Sequence, residues 1–388
     1  MFKQSSKNYD PTGKAALGGF KDFVNVLNII IKSAPPFFDT DGPTTAIGMI
    51  GFPINAVLDW PMATIAGHEF WLIPAINRSF EDVLNTWGSF LKSQASQPGL
   101  EGWLSNDALW LLANVANTGT KRGPSFAGIF MCDPSEPYYG YDLWDDFFIR
   151  NFRDKMRPVA CPDNAPPTLE CPDPTLILTN ACESAPLQVV ENIRMHDQFW
   201  LKSQPYSVDR VLNYNPKTTQ LVGGTVYQAF LSAKSYHRWH APLSGTVAEI
   251  EHVAGSYYSE NFFEGLAADS QKPDPAAPNY SQPYISAVAT RGIIWIKANN
   301  QDIGLMAIAF IGMAEVSSCE FTVIPGDHIT KGQDIGMFHF GGSSHCIVFQ
   351  PGIKLIFNRP QPWDMDNETN NRVNSALAIV VPQRDVNS

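Results

Sequence analysis

At 388 residues the chain can hold one large domain or two ordinary ones, and its 44% apolar content suffices for packed cores, which excludes a disordered chain. Lys and Arg number 27 against 38 Asp and Glu, a net charge of −11 that repels phosphate backbones and disfavours docking on anionic lipid. Nucleic acid is therefore excluded as a partner.

No run reaches the roughly 18 to 20 apolar residues of a membrane span; the nearest, 46–67, is broken by Pro53, Asp59 and Pro61. The N-terminal Met1–Lys7 has no hydrophobic core of a secretory signal. The cysteines (132, 161, 171, 182, 319, 346) have no tight paired spacing; Cys161 and Cys171 could bridge a loop, but the reduced state of a cytoplasmic protein is expected. No Cys/His cluster has zinc spacing, so no metal site is expected.

Residues 1–18 are polar, with Pro11 and Gly13, and are expected to fray. Phe23, Val24, Leu27, Ile30 and Ile31 recur at helical spacing within 20–33. Residues 45–67, apolar with prolines, predict a buried or broken helix. Ser79-Phe-Glu-Asp82 reads as a capping box opening a helix over 80–92. Further helices are predicted over 106–117, closed near Gly119, and over 142–155. Residues 1–155 thus form a mainly helical N-terminal region, and 156–177, rich in proline, a linker.

Strand-length runs of Ile, Val, Thr and aromatics then follow at 175–179, 225–231, 246–253, 292–298 and 305–311, interrupted by a short helix over 207–213. A polar insertion, 255–283, reads as a surface loop or lid. Pro242-Leu-Ser-Gly245 and Ile324 to Gly336 look like the sandwiched barrel of biotinyl and lipoyl carrier domains, with glycines turning hairpins. The fold class is α+β: a helical N-terminal region, then a mainly antiparallel β domain (178–388) with a barrel-sandwich-like part. A carrier module is one functional reading, but no carrier motif surrounds a lysine in the long stretch from Val247 to Ile324. A biotinyl or lipoyl adduct in the intact mass would revive it.

The stretch Phe338-His-Phe340-Gly-Gly342-Ser-Ser344 carries the chemistry. Alternating apolar residues from Ile335 read as the end of a strand. Two glycines then let other groups approach the main chain before a serine. A hydroxyl against the preceding carbonyl can attack it and shift the peptide to an ester. Elimination then leaves dehydroalanine, and hydrolysis a pyruvoyl group. On its own, Gly-Gly-Ser-Ser is equally an ordinary loop.

With Tyr236-His-Arg-Trp-His240-Ala-Pro242, and with Asp145-Asp-Phe-Phe-Ile-Arg150 and Arg157-Pro158, this stretch resembles the phosphatidylserine decarboxylase family of pyruvoyl enzymes. The resemblance covers about 138–357. Tyr138-Tyr-Gly-Tyr141, Ala181-Cys-Glu-Ser184 and Phe310-Ile-Gly-Met-Ala-Glu315 bring it nearest to the family's fungal L-tryptophan decarboxylase branch.

The resemblance implies self-cleavage between Gly342 and Ser343 into a β chain (1–342) and an α chain (343–388) that stay associated, with Ser343 becoming a covalent pyruvoyl cofactor. It makes His240 the base for cleavage and Glu183 the acid that orients His240, where the family has Asp. Read without the resemblance, Glu183 is as readily a solvated charge at a strand end. His237 would donate the proton that replaces carbon dioxide, after the substrate amine forms a Schiff base with the ketone. Arg238 is expected to make structural bonds. Phe338, Phe340 and Trp239 could wall a substrate pocket, although aromatic residues so placed are more often core. Ser344 stands where the family has Thr or Ser, and His345 and Cys346 replace its usual small apolar residues. The substrate is expected to be a free aromatic L-amino acid, with the headgroup of phosphatidylserine as the alternative; oligomeric state stays open.

Overall fold

The computed structural model describes residues 1–2, 17–37, 52–62, 64–120, 122–169, 171–196, 207–259, 281–315, 318–340, 343–359 and 369–382. Gly341, Gly342 and most of the 255–283 insertion lie outside these residues, as do 3–16 of the N-terminal stretch.

The helical region opens with α1 (Phe20–Ile30), which buries Phe23 and Ile30. The apolar stretch beyond it is a broken helix, as expected: α2 (Pro53–Met62) and α3 (Ile65–Trp71) meet at Thr64, whose hydroxyl caps α3 by accepting from Gly67 N–H at 3.0 Å. The next helix begins earlier than the capping-box reading placed it. α4 (Pro74–Leu91) starts with Pro74 in its first turn, where a missing N–H costs nothing. Ser79 lies inside it and bonds back to Ala75 O at 3.1 Å. α4 buries Phe80, Leu84, Trp87 and Leu91, one stripe at helical spacing. α5 (Leu100–Trp103), α6 (Asn106–Ala116, capped by Ser105) and α7 (Phe126–Ile129) follow.

The helix predicted over 142–155 is only α8 (Trp144–Phe148). Beyond it the backbone bonds elsewhere: Asn151 O accepts from Met131 N–H at 2.8 Å, and Arg153 N–H donates to Ile129 O at 2.8 Å. A tertiary partner wins over the helical pattern.

The second part contains β1 (Ile177–Thr179), β2 (Ala185–Glu191), β3 (Thr225–Leu231), β4 (Arg238–His240), β5 (Gly245–Val253), β6 (Arg291–Ala298), β7 (Leu305–Gly312), β8 (Ser318–Phe321), β9 (His328–Ile329), β10 (Asp334–His339), β11 (Ser343–Phe349), β12 (Ile353–Phe357) and β13 (Ala376–Pro382). Two short helices, α9 (Val208–Val211) and α10 (Gln282–Val288), interrupt them. The strands form antiparallel sheets in the orders β2-β3-β11-β7-β6-β5-β9, β4-β10-β8 and β1-β13-β12. The architecture is α+β.

Among the described residues, three apolar cores organise the fold. One lies between the seven-stranded sheet and the smaller sheets, where Trp239 of β4 stacks on Phe310 of β7 at 3.8 Å. A second covers the other face of the large sheet, under α9 and α10. The third belongs to the helices, but it also takes in Tyr236, Phe340 and Val373 from the β part.

Candidate active site

β10 ends at His339 in the middle of the small sheet, and β11 begins at Ser343 in the middle of the large one. The chain therefore crosses between sheets over Phe340 to Ser343, about 10 Å at most. Ser343 does not sit in an open loop. It is fully buried, opposite Leu231 of β3 and Gly312 of β7. All of β11 is buried, including Ser344 and His345. Burial drives the His345 imidazole down to about 3, so this ring is neutral at any working pH. The hydroxyls of Ser343 and Ser344 have no hydrogen-bond partner among the described residues. An orphaned buried hydroxyl costs about 1–3 kcal/mol, so its retention at the head of a central strand calls for a chemical reason.

Phe340 is held in the left-handed region at φ 33°, at a cost on the order of 1–3 kcal/mol for a bulky residue. The helical region holds it there. Its ring lies 4.7 Å from Trp144, 4.8 Å from Trp87, 5.6 Å from Phe148 and 6.2 Å from Phe52. Each well-placed aromatic pair adds about 0.5–1.5 kcal/mol beyond its burial, so the set can offset the strain. The helices thus clamp the residue just ahead of the glycine pair.

β4 and the residue just before it place His240 and His237 along β10. His237 lies beside Phe338, whose N–H donates to His237 O at 3.0 Å. His240 is opposite Asp334, farther from the crossing. The His237 ring is fully buried and stacks on Phe148 at 4.2 Å, and Phe148 in turn packs against Phe340. His237 therefore shares the aromatic cluster around the crossing. Gly336 makes this register possible: a Cβ there would come within 2.7 Å of the Trp239 ring.

His240 makes different contacts from those expected. Its Nδ1 lies 2.8 Å from Gly332 O, which fixes the proton on that nitrogen, and its Nε2 faces the Tyr236 hydroxyl at 3.0 Å. Burial lowers its pKa and Gly332 O opposes this, leaving a neutral ring with its lone pair on Nε2.

No hydrogen bond joins Glu183 to His240 among the described residues, although the Glu183 charge acts on the His240 ring to raise its pKa. Its carboxylate is fully engaged with Arg157, through Nη2 and through Nε at 3.0 Å, and with Val373 N–H at 2.8 Å. The Glu183 side chain reaches Arg157 at the start of the Pro-rich segment, and the His240 imidazole bonds to Gly332 O. Both members of the pair are buried, so removing one partner would cost about 3–5 kcal/mol. Arg238 donates from Nε to Asp334 at 2.6 Å.

Of the aromatics expected to wall a pocket, Phe338 and Trp239 are fully buried core. Phe340 lines a cavity of about 300 Å³ between α4, α8 and β10. Beside it, His339 bridges Asp145 and Glu320, both at 2.9 Å. The sequence reading gave no site role to Tyr236, Gly332, Asp145 or Glu315. Asp145, Tyr236 and Glu315 stand inside the motif wordings, but only the fold says what they touch. Gly332 stood in the 324–336 stretch whose glycines were expected to turn hairpins, a structural signal only.

The phosphatidylserine decarboxylase family model matches residues 144–374, and a second phosphatidylserine decarboxylase model matches 1–112. The chain is 35% identical over 347 residues to the L-tryptophan decarboxylase of Psilocybe cubensis, covering 84% of this chain and 72% of that protein. It is 36% identical over 340 residues to decarboxylase iboD of Amanita muscaria, covering 85% and 91%. Phosphatidylserine decarboxylase proenzyme 3 of Schizosaccharomyces pombe is 25% identical over 228 residues, 59% of this chain and 21% of that protein.

Proposed function

This chain belongs to the phosphatidylserine decarboxylase family and is a decarboxylase, and from that premise we propose that it cuts itself before Ser343 and then decarboxylates a free aromatic L-amino acid, tryptophan first, to the arylalkylamine. The observation that carries the chemistry is the buried Ser343 hydroxyl at the head of β11, without a hydrogen-bond partner among the described residues and three residues after the strained Phe340. A side chain kept dry and unbonded has no competing partner when a base takes its proton. We assign that base to His240, whose Nε2 carries the lone pair, and give His237 the proton that ends on the substrate α-carbon. The Ser343 site fits a pyruvoyl group, since the hydroxyl that must be lost makes no hydrogen bond among the described residues. When present, that group supplies a ketone that takes the substrate amine and draws electrons from its α-carbon.

The surroundings favour this use. Burial excludes water, which favours loss of a charged carboxylate as neutral carbon dioxide. After cleavage β11 would remain hydrogen-bonded between β3 and β7 along its whole length, so residues 343–388 should stay with 1–342. We divide the chain at 155 and 178, where the pattern changes from helices to strands.

For the substrate, the L-tryptophan decarboxylase of Psilocybe cubensis matches 84% of this chain at 35% identity, against 59% at 25% for phosphatidylserine decarboxylase proenzyme 3 of Schizosaccharomyces pombe. Among the described residues no helix is long and apolar enough to cross a membrane. With a net charge of −11, an enzyme that meets its substrate in the cytoplasm, away from a bilayer, is the consistent reading. Purified protein is given L-tryptophan, L-phenylalanine, L-tyrosine and phosphatidylserine vesicles, and carbon dioxide and amine are measured. Tryptamine should form from tryptophan. Ethanolamine lipid from the vesicles, with no amine from any free amino acid, would overturn the choice.

A further inference from the structure

The crossing that leads to Ser343 is fixed at both ends, and one of the anchors is made of charge. At its far end Ser343 opens β11, paired with Leu231 on one side and Gly312 on the other. At its near end stands His339, the last residue of β10. The His339 Nδ1 lies 2.9 Å from Asp145 Oδ2 and 3.1 Å from Oδ1, and its Nε2 lies 2.9 Å from Glu320 Oε2. The Nζ of Lys92, the residue after α4, lies 3.4 Å from the same Nε2. The ring thus joins β10 to α8 through Asp145, to β8 through Glu320 and to the end of α4 through Lys92.

A carboxylate only accepts, so a ring that answers a carboxylate at each nitrogen donates from both, which imidazole does only as the imidazolium. Glu320 is nearer to Nε2 than Lys92 is, so that nitrogen gives its proton to Glu320 and does not accept from Lys92. The charges agree: an imidazolium and Lys92 balance Asp145 and Glu320, whereas a neutral ring leaves one negative charge in excess. The His339 side chain is 10% exposed and that of Asp145 6%, and an unbalanced charge is costly at such a site. Glu320, 54% exposed, is the partner on the solvent side. Asp145 comes from α8, whose Trp144 and Phe148 also hold the Phe340 ring. One helix therefore fixes two successive residues at the start of the crossing.

We propose that His339 is a positioning residue for self-cleavage: its imidazolium ties the end of β10 to α8 and holds the crossing so that the carbonyl ahead of Ser343 is presented to the Ser343 hydroxyl. The inference rests on the reading of the chain as one that cuts itself before Ser343. It adds a residue that sets the rate and the pH range of that step. Both reacting groups lie on this short crossing, and a displacement of about 1 Å can cost about 10²-fold in rate.

The test follows cutting itself. The full-length uncut chain is made by cell-free synthesis, moved to buffers from about pH 6 to about pH 9 and followed on a denaturing gel; across that span an imidazolium gives up its proton and an ammonium keeps its own. Wild-type cleavage should slow towards the alkaline end, as His339 loses the proton given to one of its carboxylates. The acid end reports His240, where burial lowers the pKa and keeps the ring a base. His339→Gln, a neutral amide, should cut at least about tenfold more slowly at neutral pH. His339→Lys brings back charge and donors; it should cut within about fivefold of wild type and lack the alkaline fall. Glu320→Gln, at an exposed position, removes one of the charges that hold the proton, so its alkaline fall should begin at lower pH. A wild type without the alkaline fall, a His339→Lys chain with the wild-type fall or as slow as His339→Gln, or an unshifted fall in Glu320→Gln overturns the proposal. So does a folded His339→Gln chain that cuts at the wild-type rate. Should His339→Gln fail to fold, as read by thermal melting, the profiles of wild type, His339→Lys and Glu320→Gln decide. A wild-type chain that never cuts overturns the pyruvoyl reading itself, and the inference with it.

Discussion

Ser343→Ala should yield one uncut chain of 388 residues with no measurable decarboxylation. The oxygen that must attack the preceding carbonyl is gone, and with it the only source of the ketone in this account. The substitution separates chemistry from folding. Ser343 is fully buried and its hydroxyl bonds to nothing among the described residues. Replacing it with a methyl removes an unmet polar group, so stability should hold or rise slightly, by up to about 1 kcal/mol. An inactive, uncut and fully folded protein is the expected result, checked by gel, activity and thermal melting. Cleavage of Ser343→Ala before residue 343 would defeat the pyruvoyl reading.

His237→Ala should mature but turn over substrate about 10²- to 10⁴-fold more slowly, the usual range for a lost general acid. Its proposed role begins only once the ketone exists. The ring stacks on Phe148 within the cluster around Phe340, close to the crossing. His240 lies farther back along β10, bonded to Gly332 and Tyr236. Fragment yield and single-turnover rate read the two roles separately. An uncut His237→Ala chain would place both histidines in maturation.

Much of the fold was legible because burial and periodicity agreed. β3 runs over Thr225–Leu231 and β7 over Leu305–Gly312, within a residue of the hydrophobic runs that predicted them. α6 keeps the predicted start and stops one residue early. The misses have physical causes. β11 opens with Ser343-Ser-His345, which local chemistry reads as a loop; only pairing with β3 and β7 makes it a central strand. Ser79 followed by acidic residues mimics a cap, yet Pro74 had already started α4. The candidate site could be read in the sequence as a set of residues and not as a set of contacts. Ser343, His237 and His240 stand out in the motifs. The pairing of Glu183 with Arg157, and of His240 with Gly332, depends on side-chain reach across segments that only the fold brings together. His339 stood inside the motif, but its bonds to Asp145 and Glu320 likewise depend on α8 and β8 meeting β10.

The most direct measurement is the intact mass of the purified wild-type protein under denaturing conditions. The account predicts two polypeptides, residues 1–342 and 343–388, the second beginning with a pyruvoyl group in place of serine. A single species at the full 42.9 kDa, in a preparation that still decarboxylates, would contradict it.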